Sequence, residues 1–323
     1  MTSPSADTPS TARGADTPAL LPNNLLVGTA LMLGAMFLLP FMDGLAKGLS
    51  ERYSVIQVAW ARYLFHLVCM LPILLLRFGP KALVPKRLGL QLVRGSLLLV
   101  ATVLFFFALS TMPQATVLAI FFVSPAVVTV LAPALLGERV GAWRVVAVVV
   151  GFLGVLLILR PGSGVFGWGA VFALGAGVIH GFYMVFTRRL SRSAPPLVTL
   201  GYTAVIGAVV LSAIVPFFWL RPTLTDFGIM VLLGILAAGG HFLLIKAFDY
   251  APASWLAPLG YTEIVTAVAY GFLAYGHLPD ALTWLGIAGI VGAGVWISLR
   301  ERRMVAAVPS LVALAQAPGD SAP

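Results

Sequence analysis

The sequence predicts an all-α integral membrane protein with ten transmembrane helices, arranged as two inverted five-helix repeats. Three observations support this prediction: the composition, the apolar segments and a similarity between the two halves of the chain. Of the 323 residues, 60% are hydrophobic and only 10% are charged, whereas a soluble domain has about 25% charged residues. Because a chain of this composition cannot hide its apolar surface from water, we expect it to fold in a lipid bilayer.

Ten apolar segments approach the roughly 20 residues that a helix needs to cross a bilayer. Several are separated by tight connections, for example STMPQ at 110–114 and YAPAS at 250–254, and the proline in such connections ends helices. We predict ten spans, at 25–47, 55–77, 88–110, 114–136, 141–160, 165–188, 196–218, 224–248, 252–275 and 281–299.

The basic residues predict the orientation of these spans. A net charge of +9 would suit a nucleic-acid-binding protein, but most Lys and Arg residues lie in short connections. If the spans alternate in direction, 14 of the 20 Lys and Arg residues face the side of the N-terminus, and only four face the other side. Because cytoplasmic loops are rich in Lys and Arg, we expect both termini in the cytoplasm and no nucleic-acid partner.

The two halves of the chain match at a nearly constant spacing. Residues 33–35 match 174–176, and Ala108 and Pro113 match Ala247 and Pro252 in the same way. Each half has five spans, so the second copy enters the membrane from the opposite side, as in secondary transporters that bind cargo between inverted repeats. The predicted domains are a disordered cytoplasmic tail, two five-helix repeats and a second cytoplasmic tail, at 1–23, 24–160, 165–303 and 304–323.

The last spans of the two halves resemble the drug/metabolite transporter superfamily with EamA-like domains. Their sequences are LLGERVGAWRVVAVVVGFLGVLLI and LAPLGYTEIVTAVAYGFLAYGHLPDALTWLGIAGIVGAGVWISLRER. The resemblance covers about residues 25–303. MDGLAK at 42–47 and QVAWARYL at 57–64 are similar to a bacterial branch that includes uptake carriers for S-adenosylmethionine and riboflavin. This resemblance implies a multi-pass protein of the bacterial inner membrane.

We expect a secondary carrier, not an enzyme, that moves a small organic metabolite by alternating access and needs no cofactor. Uptake of a planar or cationic metabolite such as riboflavin or S-adenosylmethionine is one prediction, and export of amino acids or toxic metabolites is the alternative. The driving force is either the proton gradient or the cargo gradient alone. The sequence leaves open whether the chain forms a homo-oligomer.

Other classes of protein lack support in the sequence. There is no P-loop, no HExxH motif and no CxxC motif, so ATP-driven transport within this chain and an obvious metal hydrolase are excluded. An intramembrane lipid-modifying enzyme would need acids or histidines clustered at one membrane face, whereas here they are scattered along the chain. We predict no catalytic and no metal-binding residues.

Ionisable residues inside the spans are the first candidates for a cargo site, because each costs roughly 2.5–3.5 kcal/mol to insert. Glu263 lies in the middle of the ninth span, and Ser124 is its equivalent in the first repeat. Both are expected near the pseudo-two-fold axis. There Glu263 would bind a cationic or hydrogen-bonding part of the cargo or carry a proton. The alternative is a structural role, in which Glu263 caps a helix or pairs with another residue of the bundle.

Aromatic residues are the second group of candidates. His180 and Tyr183 lie one helical turn apart on the same face. With Trp60, Tyr202 and Tyr261 they would give a cavity with aromatic walls, which suits a flat cargo. The alternatives are a histidine that is hydrogen-bonded to a neighbouring helix, and aromatic belts at the membrane interfaces.

Charged residues near the span ends are candidates for gating or coupling. Asp43 and Arg62 lie at similar depths and are expected to form a pair, either structural or an outer gate. Lys47 would then extend toward the headgroups. A contact between Arg94 and Asp249 would be the inner counterpart, unless Arg94 instead reaches the membrane surface alone.

Overall fold

A computed structural model describes residues 24–80, 87–136, 141–159, 167–190 and 195–316. The predicted tail at 1–23 lies outside the described residues, as does the end of the second tail. Helices make up the described chain, which contains no β-strand. The helices are α1 Leu25–Ser50, α2 Val55–Phe78, α3 Leu88–Thr111, α4 Gln114–Phe121, α5 Ser124–Leu136, α6 Ala142–Leu159, α7 Trp168–Leu190, α8 Pro196–Ile214, α9 Leu224–Tyr250, α10 Ala253–Leu256, α11 Thr262–Tyr275 and α12 Ala281–Gln316.

Helical structure coincides with each of the ten predicted spans. Among the described residues, seven segments are long and apolar enough to cross a bilayer: Leu25–Ser50, Val55–Phe78, Leu88–Thr111, Gln114–Leu135, Trp168–Thr187, Pro196–Phe218 and Leu224–Tyr250. Shorter apolar helices cover Val145–Leu159 and Ala281–Ile297, and α11 has 14 residues. The chain is therefore a helical membrane protein, whereas the count of ten crossings stays a prediction.

The fourth and ninth predicted spans are broken, although the sequence predicted each as one helix. In the fourth span, α4 ends at Phe121 and α5 begins at Ser124. In the ninth, the short helix α10 is followed by a 3-10 turn, Ala257–Tyr261, before α11 begins. Pro125 and Pro258 stand at these breaks, and proline supplies no backbone N–H to continue a helix. The breaks occur directly before Ser124 and shortly before Glu263.

Most of the strong helix packing joins the two halves of the chain. Helix α1 packs against α9 and α11, α3 packs against α7 and α8, and α2 packs against α8 and α9. Helices α6 and α12 pack against each other, and a Cβ atom on Gly154 would lie 2.7 Å from the carbonyl oxygen of Gly286. Glycine therefore permits this close approach of two helix backbones.

Large apolar side chains cover the outside of the bundle. Leu76, Leu224 and Leu273 are each more than 80% exposed, and they belong to helices α2, α9 and α11. In water such side chains would be unfavourable at about 25 cal/mol per Å² of apolar surface. Against lipid they cost nothing, so the exposed surface supports the same bilayer environment as the composition.

Candidate functional site

A cavity of about 220 Å³ lies between the two halves of the chain. Side chains from α1, α2, α3, α4, α7, α9 and α11 line it. Much of the wall is apolar, for example Met36, Leu98 and Phe106. The polar side chains in the wall are Asp43, Arg62, Thr102, His180, His241 and Glu263. The cavity thus brings together residues that are far apart in the sequence.

Two carboxyl groups, those of Asp43 and Glu263, face this cavity from α1 and α11. Within the described ranges, neither group has a hydrogen-bond partner or a basic nitrogen within 4.0 Å. Asp43 is 8% exposed, so bulk water compensates it little. A buried carboxylate without a partner is unfavourable, and both groups are therefore available to a cation or a hydrogen-bond donor in the cavity.

Arg62 lines the same cavity but does not form the predicted ion pair with Asp43. Its Nη1 instead donates to Thr102 Oγ1 at 2.8 Å, and its Cζ lies 5.1 Å from the centre of the Tyr63 ring. The Nε atom of Arg62 has no partner within the described chain. The hydroxyl on α3 and the neighbouring ring hold this guanidinium, which leaves donors for an anionic group.

Two histidines lie in the cavity wall. The ring of His180 is 4.7 Å from that of Phe121, and its Nδ1 has no hydrogen-bond partner in the described part of the chain. His241 Nδ1 is 2.8 Å from Ala237 O. The sequence analysis did not predict His241 or Thr102 as site residues. His241 and Thr102 are separated by the same spacing as Ala247 and Ala108, so they occupy equivalent positions in the predicted repeat.

Five predicted binding residues lie outside the wall of this cavity, and their role in binding stays a prediction. They are Ser124, Tyr183, Trp60, Tyr202 and Tyr261. Trp60 Nε1 donates to Ser212 Oγ at 2.9 Å, away from the cavity. Each residue of a helix turns the side chain by about 100°. Trp60 and Arg62 are two positions apart, so their side chains point in nearly opposite directions. Tyr261, the last residue of the 3-10 turn, lies against Gly294 of α12.

Lys47 does not extend toward the headgroups, contrary to the prediction. It is 8% exposed, and its Nζ donates to Leu109 O at 2.7 Å and to Met112 O at 3.0 Å. The last carbonyl groups of a helix lack intrahelical partners and carry partial negative charge. An ammonium group on α1 therefore finds its partners at the end of α3.

Arg94 and Asp249 do not contact each other, which corrects the second predicted pair. Asp249 Oδ2 accepts from Lys246 Nζ at 2.8 Å within α9.

Arg94 donates from Nε to Thr187 Oγ1 at 2.8 Å and from Nη2 to Tyr183 OH at 2.7 Å, both on α7. It also donates from Nη1 to α8, to Thr203 Oγ1 at 2.7 Å and Thr199 O at 3.0 Å. Because α7 and α8 pack against α3, their oxygens are closer to Arg94.

Comparison with known proteins identifies several bacterial transporters that are similar to this chain. The chain is 27% identical over 261 residues to an S-adenosylmethionine uptake transporter of Rickettsia bellii, covering 81% of this chain and 89% of the relative. It is 28% identical to a riboflavin transporter of Brucella anthropi, with coverage of 77% and 89%. It is also 28% identical to the pseudopaline exporter CntI of Pseudomonas aeruginosa, with coverage of 85% and 97%.

A solved crystal structure shares the fold, with a TM-score of 0.60 and 21% identity over 87% of this chain and 98% of that chain. The family model for EamA-like transporters matches residues 26–160 and again residues 167–299. Together the two matches cover most of the chain, with one match in each half. The protein belongs to the EamA-like transporter family.

Proposed function

We propose that this protein is a secondary active transporter that moves a small organic metabolite across the bacterial inner membrane by alternating access. The observation that carries the proposal is the cavity between the two halves, where the carboxyl groups of Asp43 and Glu263 have no hydrogen-bond partner among the residues that the structure describes. Both termini face the cytoplasm in this proposal, because that orientation places most basic residues inside.

Inverted repeats are part of the proposal. The pairing of α1 with α9 has its counterpart in the pairing of α7 with α3, if α7 corresponds to α1 and α9 to α3. The breaks before Ser124 and Glu263 fall at equivalent places in the two halves, and the family model matches twice. Broken helices beside a central site are typical of carriers built from inverted repeats.

The charges of the cavity favour a cationic or zwitterionic cargo. Asp43 and Glu263 would accept hydrogen bonds from a positive group, while the unpaired Nε of Arg62 would donate to a negative one. S-adenosylmethionine carries an ammonium, a sulfonium and a carboxylate group, whereas riboflavin is uncharged. We therefore rank S-adenosylmethionine uptake above riboflavin uptake. The cavity of about 220 Å³ is smaller than the roughly 300–1,000 Å³ of most ligand sites, so it has to widen for either cargo.

Export is the second candidate function, and the similarity to the pseudopaline exporter favours it. Amino acids and related metabolites are zwitterions, so the same three charged groups would suit them. Alternating access is reversible, and the gradients set the direction. Proton coupling through Glu263 and transport driven by the cargo gradient alone are both compatible with a carboxyl group in the cavity.

A thermal-stability assay in detergent tests this proposal. We would measure the melting temperature Tm with S-adenosylmethionine, riboflavin, nucleosides and amino acids, for the wild type, Glu263→Gln and the control Glu51→Gln. Glu51 is exposed at the end of α1. A ligand at 100 times its Kd stabilises by about 2.7 kcal/mol. We expect one charged ligand to raise Tm in the wild type and the control, but not in Glu263→Gln.

Two results would contradict this assignment. A Tm rise with riboflavin and none with charged ligands would reverse the ranking of the cargoes. A rise that survives in Glu263→Gln would remove Glu263 from cargo binding. Uptake of the stabilising ligand into right-side-out vesicles, measured against its exit, would then decide between import and export.

A further inference from the structure

The guanidinium of Arg94 connects three helices around one end of the cavity. It belongs to α3, is 4% exposed, and its four hydrogen bonds reach two residues of α7 and two of α8. Arg94 lies near the start of α3, Thr187 near the end of α7, and Thr199 near the start of α8. One side chain thus holds together the ends of three helices.

The cavity begins close to this junction. Thr102, which lines the cavity, is eight residues from Arg94 on α3, or about 12 Å at 1.5 Å per residue. In the proposed topology the ends of α3, α7 and α8 that meet at Arg94 face the cytoplasm. The junction therefore stands between the cavity and the cytoplasmic surface.

All four partners of Arg94 are neutral. They are hydroxyl groups and one carbonyl oxygen, and in the described chain no carboxylate lies within 4.0 Å of this guanidinium. Breaking a buried ion pair is costly, because it leaves an uncompensated charge on each side. Hydrogen bonds from an arginine to hydroxyl groups can be exchanged for water one at a time, so this junction is suited to opening and closing.

Tyr183 links the junction to the cavity. Its hydroxyl accepts from Arg94 Nη2 at 2.7 Å, and Arg94 Cζ lies 4.7 Å from the centre of its ring. The same ring lies 5.3 Å from that of His180, whose side chain lines the cavity. A molecule that moves His180 therefore also moves the ring that holds Arg94.

We infer that Arg94 is a latch that closes the cytoplasmic end of the cavity, and that His180 and Tyr183 connect this latch to the cargo. The inference rests on the proposed function, since a latch has meaning only in a carrier. Arg94 acts here as a positioning residue and does not touch the cargo. The contacts predict that loss of Arg94 opens the cavity to the cytoplasm.

Cysteine labelling without any cargo tests the latch. Cys69 is the only cysteine, so Cys69→Ala gives a cysteine-free background in which Met36→Cys reports from the cavity wall on α1. A membrane-impermeant maleimide is applied to inverted and to right-side-out vesicles. In inverted vesicles we expect Arg94→Ala to raise the labelling rate about tenfold, which corresponds to about 1.4 kcal/mol of lost closing free energy. In right-side-out vesicles we expect no rise.

Two variants separate a latch from a merely structural residue. Arg94→Lys keeps the charge, but one ammonium group cannot reach acceptors on two helices, so we expect a rise of about threefold. Lys246→Ala is the matched control, since Lys246 pairs within its own helix, and it should label like the reporter background. Unchanged labelling in both Arg94 variants, with each folded as judged by Tm, would overturn the latch.

A double-variant comparison tests the link to the cavity. If His180 acts through Arg94, His180→Ala combined with Arg94→Ala labels no faster than Arg94→Ala alone. If the two rises multiply, the link is wrong and the latch works without His180. Labelling needs no transport, so the two failures can be told apart. A chain that labels as expected but carries none of the tested cargoes would support the latch and contradict the proposed cargo, whereas a chain that carries a tested cargo but labels no faster without Arg94 would contradict the latch alone.

Discussion

At each end of α3 a basic side chain joins this helix to other helices: Lys47 of α1 binds its last carbonyl groups, and Arg94 of α3 itself binds α7 and α8, but the two ends are held together differently. Leu109, which accepts from Lys47, is 15 residues from Arg94, or about 22 Å along α3, and the cavity lies between them. At the Lys47 end several separate bonds cross between elements. They are Lys47 to Leu109 O, Tyr275 OH to Gly44 O, Gln57 to the backbone of Leu220, and Tyr53 OH to Asp226.

At the Arg94 end, the bonds described between α3, α7 and α8 converge on one guanidinium. Lys246 and Asp249 pair within α9, and Trp255 Nε1 donates to Thr29 Oγ1 at a more exposed position. The two ends should therefore respond differently to single substitutions. At the Lys47 end, loss of one of several bonds should lower stability with little effect on access to the cavity. At the Arg94 end, loss of the one junction should open the cavity.

Lys47→Met should have the largest effect on stability among the variants of this comparison. The substitution keeps the length of the side chain but leaves Leu109 O and Met112 O without their donor. Hydrogen bonds from charged groups contribute about 1.5–3 kcal/mol each, so we expect a loss of about 3 kcal/mol, measured as a lower Tm. Labelling of Met36→Cys from the cytoplasmic side should stay unchanged. A faster cytoplasmic rate would mean that the two ends are not independent.

Gln57→Leu should have the second largest effect. Gln57 Nε2 donates to Leu220 O at 2.8 Å, and Gln57 Oε1 accepts from Leu220 N at 2.9 Å. Loss of two neutral hydrogen bonds costs about 2 kcal/mol, and Tm should fall accordingly. Gln57→Glu keeps the acceptor but not the donor, so its Tm should lie between that of the wild type and that of Gln57→Leu. Equal Tm values for all three chains would show that this connection adds no stability.

Tyr275→Phe removes a single bond at the same end, from the Tyr275 hydroxyl to Gly44 O at 3.0 Å. The ring and its contacts remain, so we expect a loss of about 1 kcal/mol. From the highest Tm to the lowest, we therefore expect wild type, Tyr275→Phe, Gln57→Leu and Lys47→Met. A Tm for Tyr275→Phe below that of Lys47→Met would contradict the assignment of bond strengths at this end.

Lys246→Ala should have the smallest effect. Its pair with Asp249 is partly exposed, with 22% and 45% of the two side chains accessible, and such pairs contribute about 0.2–1 kcal/mol. We expect no resolvable change in Tm and none in labelling. Because Lys246 and Arg94 lie toward the same end, this result would show that loss of a positive charge there is not what opens the cavity.

The sequence predicted a helical membrane protein and part of the cavity wall, whereas the ten crossings, the inverted repeats and the roles of the site residues stay predictions. Glu263, His180, Asp43 and Arg62 line the cavity as candidates chosen from their charge within apolar spans. Trp60 and Tyr202 were chosen as aromatic residues inside the spans, and a position inside a span does not say which side of a helix faces inward. His241 and Thr102 line the cavity at equivalent positions of the predicted repeat, but neither was predicted as a site residue.

Composition and apolar length were enough to predict a helical membrane protein and the approximate positions of its helices, because both depend on local residues. Family membership likewise follows from residue order. The binding of Lys47 to the end of α3 and of Arg94 to α7 and α8 could be seen only in the folded chain. A side chain turns about 100° with each residue of a helix, and prolines interrupt two of the spans. The partners of a charged group therefore depend on helix rotation and packing, which no short segment of sequence contains.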